Sequence, residues 1–248
     1  MPDIFEVGGC VRDRLLGIAS DDIDFTFVLD DLTETPEQGF KRMSDHLKQE
    51  RFKIFQETPD MFTIRARFPE SHIHARLTAD FVMARKETGY KEGTREPILV
   101  LGTLADDLIR RDFTLNAMAE DINGNLIDLF DGCKHLKEGV LKTPRDPQVT
   151  LMDDPLRMMR AIRFAVTKGF TIHPDVWEAM FQPGLIDKFM EVVSIERTRN
   201  ELKKMFEFDT LASLRLLATV DARSPGFMDA VFSKGMWLLP TFKKTKGK

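Results

Sequence analysis

The sequence predicts an α+β protein, with a mixed sheet-and-helix head over residues 1–145 and a helical second domain over 146–248. Three observations predict it. Short runs rich in β-branched and aromatic residues crowd the first half of the chain. From Asp153 onward the pattern turns helical. Between the two lies "KTPRDPQVT", whose two prolines in four residues mark the boundary. With 248 residues, 42% of them hydrophobic, the chain can bury the core of one or two domains. It carries no internal repeat.

In chain order, "DIFEV" reads as a short apolar strand that ends at Gly8-Gly9, and "VRDRLLG" as a brief helix closed by Gly17. "IDFTFVL" has the β-branched and aromatic content of a strand, and "TPEQGFKRMSDHLKQE" is helical after Pro36. "FKIFQ", "MFTIRARF" and "LTADFVMAR" read as three more strands. "KETGYKEGTREPIL" is polar, charged and glycine-containing, and is expected to be a mobile loop. "LADDLIRRDFTLNAMAED" is expected to be helical, and "DINGNLIDLFDG" holds an Asn-Gly turn between two short strands. Four helical segments follow: "DDPLRMMRAIRFAVTKGF", "HPDVWEAMFQPGLIDKFM", "SIERTRNELKKMFEFD" and "LASLRLLATV". Ser194 is expected to cap the third of them, with Arg197 at N3, so no capping box forms there.

Composition narrows the function classes. A formal net charge of −4 with 31% charged residues excludes a disordered or collagen-like chain and argues against bulk binding of nucleic acid. The closing "FKKTKGK" reads either as a local basic patch or as a frayed, solvated tail. Two cysteines far apart form neither a disulfide framework nor a zinc spacing, which fits a reducing compartment. Five histidines show no ligand pattern; His72 and His74 read as surface residues. No apolar run reaches the length of a membrane span, and the expectation is a soluble, cytoplasmic protein with no membrane partner.

The chemistry concentrates in "EVGGCVRDRLLGIASDDIDFTF". Asp22 and Asp24 alternate at the start of a predicted strand, so both carboxylates project to one face while Ile23 and Phe25 face the core. Paired carboxylates repel unless a positive charge sits between them. Mg²⁺ or Mn²⁺, which prefer oxygen ligands, would meet that need; a solvated acidic strand end is the other reading. Gly8-Gly9, between a strand and a helix, lets backbone N–H groups approach phosphate oxygens, and Arg12 can contact the same phosphates. A glycine turn, an arginine and a D-x-D strand together make a nucleoside-triphosphate and metal site.

"GGCVRDRLLG…DDIDFTF" resembles the opening motif of the class II tRNA nucleotidyltransferases and the related bacterial poly(A) polymerases, within the polymerase β superfamily. Further segments match in the family's order: "LIRRDFTLNAMAED" its second motif, "NGNLIDLFDGCKHLKEGVLKT" the linker between head and neck, "DDPLRMMRAIRFA" the base-recognition motif E-D-x-x-R, and "SIERTRNEL" the last neck motif. The resemblance spans roughly residues 5 to 205. It implies a nucleotidyltransferase head with a mixed, mainly antiparallel sheet, followed by an all-helical neck.

The implied reaction moves a nucleotide from CTP or ATP to an RNA 3′ end, that of tRNA above all, and releases pyrophosphate. By resemblance Asp22 and Asp24 hold two metal ions. Asp80, where relatives often carry Glu, supplies the third carboxylate; alone it would read as a polar strand residue. Arg111 matches a triphosphate contact, Arg110 reads equally as a solvated residue, and Asp112 as a helix cap. Asp154, Arg157, Arg160 and Arg163 recur every three residues and drift by about 60° per step along a helix. They read either as a nucleotide-binding stripe or as an exposed face over Leu156, Met159 and Ile162. Within the resemblance, Asp154 and Arg157 read the base. An ionised Asp only accepts and an Arg only donates, which matches the amino donor and ring-nitrogen acceptor of C and A and rejects G and U. Asp153, where the family has Glu, is expected to brace nearby arginines more weakly. Glu196 and Arg197 are expected to steady the neck helices, Arg85 to sit at the base of the charged loop, and Asp21 to lie outside the metal shell.

Relatives of this kind carry body and tail domains after the neck. The resemblance therefore implies a head-and-neck protein that either binds tRNA weakly through the acceptor end, relies on a protein partner or an oligomer, or acts on another RNA. A CCA-adding enzyme is the leading expectation. A poly(A) polymerase or another terminal transferase is the second, and a nucleotide- or RNA-binding module without catalysis the third.

Overall fold

The elements of the first half follow from strand alternation broken by local turn chemistry. The computed structural model describes residues 3–20, 22–72, 74–90, 97–232 and Met236. Asp21, the middle of the charged loop (91–96) and the basic tail lie outside these residues. The chain divides into two compact units, Met1–Leu136 and Lys137–Lys248.

In the first unit β1 (Asp3–Val7) leads through a glycine turn into α1 (Gly9–Leu15), and β2 (Ile23–Val28) follows. The helix α2 (Pro36–Gln49) opens with proline at its first position and a capping box between Thr35 and Gln38. Next come β3 (Lys53–Thr58), β4 (Thr63–Arg67) and β5 (Thr78–Met83). The pair β6 (Arg85–Tyr90) and β7 (Pro97–Leu101) stands apart from the main sheet, and α3 (Leu104–Ile109), β8 (Met118–Glu120), β9 (Leu126–Asp128) and α4 (Gly132–Glu138) complete the series. Seven strands form one sheet in the order β3-β4-β5-β2-β1-β8-β9. Every neighbouring pair in it is antiparallel except β2 and β5, which run parallel. The mixed, mainly antiparallel sheet is the one the resemblance implied.

Inward residues of β2, β4 and β5, among them Ile23, Phe27, Ile64, Phe81 and Met83, pack with Phe40, Met43 and Leu47 of α2 into one core. The approach is close at Gly39, where a Cβ would lie 2.6 Å from Leu29 Cδ1. This core fixes the strands that carry the acidic residues.

Two segments differ from the sequence expectation. The ends of "KETGYKEGTREPIL" are strand arms rather than loop: Lys86 pairs with Val100 and Tyr90 with Pro97. The segment "LADDLIRRDFTLNAMAED" is not one helix. A capping box between Thr103 and Asp106 starts α3, but the helix stops at Ile109. Asp112 then accepts from the Phe113 backbone N–H (2.8 Å) and the Asn116 amide (2.9 Å), closing a single 3₁₀ turn at Thr114–Asn116. Burial of Phe113, Leu115 and Met118 holds this tighter path against intrinsic helix propensity.

The second unit contains α5 (Pro147–Asp153), α6 (Leu156–Lys168), α7 (Pro174–Ala179), α8 (Leu185–Val192), α9 (Ile195–Arg223) and α10 (Phe227–Phe232). Met158, Met159 and Ile162 of α6 join Leu202, Met205 and Leu217 of α9 in its core. Ser194 caps α9 by accepting from Arg197 N, and α9 kinks at Asp209, whose backbone is extended. A two-residue parallel pair, β10 (Val140–Leu141) with β11 (Thr171–Ile172), departs from an all-helical neck. It ties the residues ahead of the proline break to the second unit. Among the described residues both cysteines are free thiols, and no helix is long and apolar enough to cross a membrane.

Candidate active site

The turn between β1 and α1 needs glycine for two separate reasons. Gly8 has φ 82° and ψ −128°, a conformation L-residues avoid, and a Cβ there would lie 2.6 Å from Arg111 Nη1. The missing side chain makes room for the Arg111 guanidinium over the turn. Arg12 points elsewhere. It is buried, its Nε and Nη2 donate to Asp13 (2.9 and 2.7 Å), and its Nη1 donates to Asn116 Oδ1 at 2.6 Å. The structure thus shows Arg12 fastening α1 to the 3₁₀ turn, where the sequence suggested an open phosphate contact.

Strand register gathers the acidic residues. Asp24 of β2 is the direct partner of Asp80 of β5, and Asp22 lies one residue before β2. The Asp24 carboxyl is pushed up to about 6, first by burial and then by the negative charge of Asp22; Asp80 adds to the rise, while Arg111 and Arg65 oppose it. Asp80 is gripped by Arg65 of β4, whose Nε and Nη2 donate to its two oxygens at 2.6 and 2.5 Å.

Asp107, which is not among the site residues expected from the sequence, belongs to the same site. It is 4% exposed, yet its Oδ2 accepts from Thr26 Oγ1 and from Arg111 Nη2, each at 2.9 Å, and its Oδ1 lies 3.5 Å from Arg110 Nε. Burial alone would push its carboxyl up. The charges of Arg111 and Arg110, with hydrogen bonds from Arg111 and Thr26, outweigh that and hold it below the ordinary aspartate value. The signal was present: an acid three and four residues ahead of two arginines is a helical ion-pair spacing. Arg111 Nε is buried and has no hydrogen-bond partner among the described residues.

These residues fit a divalent cation bound together with a triphosphate. The donors are all hard carboxylate oxygens, and Asp24 and Asp80 lie directly opposite one another on adjacent strands. Among the described residues no three acidic, thiol or imidazole groups form a closed metal cage. Mg²⁺ needs only one or two carboxylates and completes its shell with water and phosphate, so Asp22 and Asp24 would be the ones to hold it.

In the second unit, Asp154 sits between α5 and α6, with Oδ1 accepting from Leu156 N (3.2 Å) and Oδ2 from Arg197 Nη2 (2.8 Å). Arg157 Nη1 donates to the Thr150 carbonyl at 3.0 Å. Arg163 Nε donates to Glu201 Oε2, and Arg160 Nη1 lies 3.9 Å from the other Glu201 oxygen. The Arg163 guanidinium also lies 4.1 Å from the centre of the Phe164 ring. Two of the three arginines in the stripe, Arg160 and Arg163, thus face a buried glutamate of α9 that has no neighbouring signal in the sequence. Asp153 pairs with Arg145, so its brace is present. Arg85, at the start of β6, donates to the Met61 carbonyl.

Residues 4–142 match the family described as Poly A polymerase head domain. The mitochondrial CCA tRNA nucleotidyltransferase of Saccharomyces cerevisiae is 35% identical over 220 residues, covering 85% of this chain and 39% of the relative. The CCA-adding enzyme of Lactiplantibacillus plantarum is 30% identical over 253 residues, covering 98% and 57%. Among solved structures, the Bacillus stearothermophilus CCA-adding enzyme in complex with CTP matches with a TM-score of 0.69 at 28% identity, over 91% of this chain and 50% of that one. The Thermotoga maritima CCA-adding enzyme complexed with tRNA matches at 0.66 and 28%, over 89% and 47%. The chain spans about half the length of the curated relatives it matches. With more than half of its residues under the family model and the same fold in those structures, the chain belongs to the poly A polymerase head-domain family.

Proposed function

We propose that this chain is a template-independent RNA nucleotidyltransferase that adds C, A or both from CTP and ATP to an RNA 3′ end, the CCA end of tRNA being the favoured acceptor. The observation that carries the proposal is the in-register pair Asp24 and Asp80, with Asp22 one residue before the strand, in a head that also seats an arginine over a glycine turn. In this reading residues 1–145 are the catalytic head and 146–248 the neck, and the protein works in the cytoplasm.

In the reaction the RNA 3′-hydroxyl forms a bond to the α-phosphorus, the bond to the β-phosphate oxygen breaks, and pyrophosphate leaves. Asp22 and Asp24 would hold Mg²⁺, or Mn²⁺ in its place, which when bound lowers the pKa of the attacking hydroxyl and neutralises phosphate charge. Asp80, opposite Asp24, would supply the third carboxylate. The Gly8-Gly9 turn lets the backbone approach the triphosphate, and Arg111, held in place by Asp107, meets its charge. Arg12 contributes by holding the turn's helix in place. Asp154 and Arg157 read the pairing edge of the base, with Asp154 held by Arg197 and Arg157 by the Thr150 carbonyl. Arg160 and Arg163, balanced by Glu201, support that edge from α6. Much of the acceleration then comes from positioning and charge neutralisation.

The test is incubation with Mg²⁺ and labelled CTP or ATP on three acceptors: tRNA ending before CCA, tRNA ending at CC, and an unrelated RNA. Incorporation confined to the tRNAs supports CCA addition, and runs of A on any RNA support the poly(A) reading. No incorporation on any acceptor overturns catalysis and leaves a binding module. Asp22→Ala should abolish incorporation while part of the nucleotide binding persists.

A further inference from the structure

We infer that Arg65 is a counter-ion built into the carboxylate cluster, one that a divalent cation must displace from Asp80 before that carboxylate can serve it. The inference rests on the metal-site reading of Asp22, Asp24 and Asp80. Its starting point is register. Arg65 of β4 is the direct antiparallel partner of Asp80, and Asp80 is the direct parallel partner of Asp24. Directly opposed residues share a face of the sheet, so one row across β4, β5 and β2 reads cation, carboxylate, carboxylate.

The contact is a fork rather than a point charge. One guanidinium engages both oxygens of Asp80, through Nε to Oδ1 at 2.6 Å and Nη2 to Oδ2 at 2.5 Å. A cation arriving at Asp80 meets a carboxylate whose best-placed lone pairs are already accepting. It also brings two positive charges beside a third. The exchange is nonetheless easy to perform, because the Arg65 side chain is 48% exposed and that of Asp80 23%. Rotating Arg65 into solvent opens a half-exposed ion pair and disturbs no core residue, and such pairs contribute little to folding. Arg65 faces Asp22 and Asp24 electrostatically as well, so without a cation it relieves repulsion across the whole cluster.

The experiment is a titration of the nucleotide-free full chain with Mn²⁺ alone, following free Mn²⁺ by its electron paramagnetic resonance signal. Wild type is compared with Arg65→Gln, Arg65→Lys, Asp80→Asn, Asp22→Asn and the Arg65→Gln/Asp80→Asn double variant, each checked for folding by far-ultraviolet circular dichroism. Arg65→Gln should tighten Mn²⁺ binding about five-fold, Arg65→Lys less, and Arg65→Gln in the Asp80→Asn background hardly at all. Unchanged or weaker binding in Arg65→Gln overturns the inference. So does equal tightening in the Asp80→Asn background, which would show a general field effect rather than competition for one carboxylate. Asp22→Asn separates the two levels of the argument. If it removes Mn²⁺ binding while Arg65→Gln changes nothing, only the counter-ion role falls; if it leaves Mn²⁺ binding intact, the metal-site reading falls with it.

Discussion

Replacing Asp107 by Asn keeps the shape of the side chain and removes the charge that Arg110 and Arg111 face. The amide keeps one acceptor oxygen, for Thr26 or Arg111, and turns an N–H₂ donor toward groups that are donors themselves. Removing one partner of a fully buried ion pair costs about 3–5 kcal/mol. Here the arginines keep 25% and 22% of their side-chain surface in water, so the expected loss is smaller, about 2–3 kcal/mol at pH 7. Urea unfolding reads it directly.

The pH dependence supplies the sign. The folded Asp107 pKa lies below its unfolded value of about 3.9. Its contribution is therefore fully present above that value and is lost as pH falls through the folded pKa. The stability gap between wild type and Asp107→Asn should be constant from pH 7 to about 5 and should narrow below about pH 4. A gap under about 0.5 kcal/mol at pH 7, or one that widens on acidification, would refute the claim that this carboxylate is ionised and paired in the fold.

Two further outcomes follow from the site geometry. Gly8→Ala should cost about 1–3 kcal/mol from backbone strain and should weaken CTP and ATP binding about ten-fold by displacing Arg111. Gly17→Ala, at φ 69° with nothing within 4 Å of its Cβ, should show strain alone and leave equilibrium nucleotide binding unchanged. Combining Asp154→Arg with Arg157→Asp should move preference from CTP and ATP toward GTP and UTP in a competition assay. It also puts a second guanidinium beside Arg197, so folding is checked by circular dichroism; a folded variant that keeps its CTP/ATP preference sinks the base-reading assignment.

What was legible in the sequence was local. The glycine turn at Gly8, the Asn123-Gly124 turn and the Ser194 cap each follow from a few adjacent residues, and the structure has these features, while the strand predicted around Asp22 and Asp24 begins one residue after Asp22. What was not legible depends on which distant residue lies opposite. Nothing near Arg12 announces that Asn116 will claim its guanidinium, and nothing near Arg163 points to Glu201. The Arg65–Asp80 pair exists only once β4 and β5 are in register. The segment after Arg111 was misread for a related reason. Its helix propensity is real, but Asp112 and the burial of Phe113 and Leu115 outweigh it. Charged, glycine-containing composition likewise hid the pairing of β6 with β7, because backbone hydrogen bonds do not depend on apolar side chains.

The single parallel join in the sheet has a kinetic consequence. The strands β3, β4 and β5 can associate through short antiparallel connections, as can β1 with β2, but β2 and β5 meet only after a long intervening segment has closed. The acidic cluster straddles that seam. A chain emerging during synthesis would carry Asp22 and Asp24 on one partly formed ribbon and Asp80 with Arg65 on another. Two like-charged edges must then approach one another late, when loop closure is already slow. Arg65, paired with Asp80 on the second ribbon, would offset part of that repulsion as the seam closes.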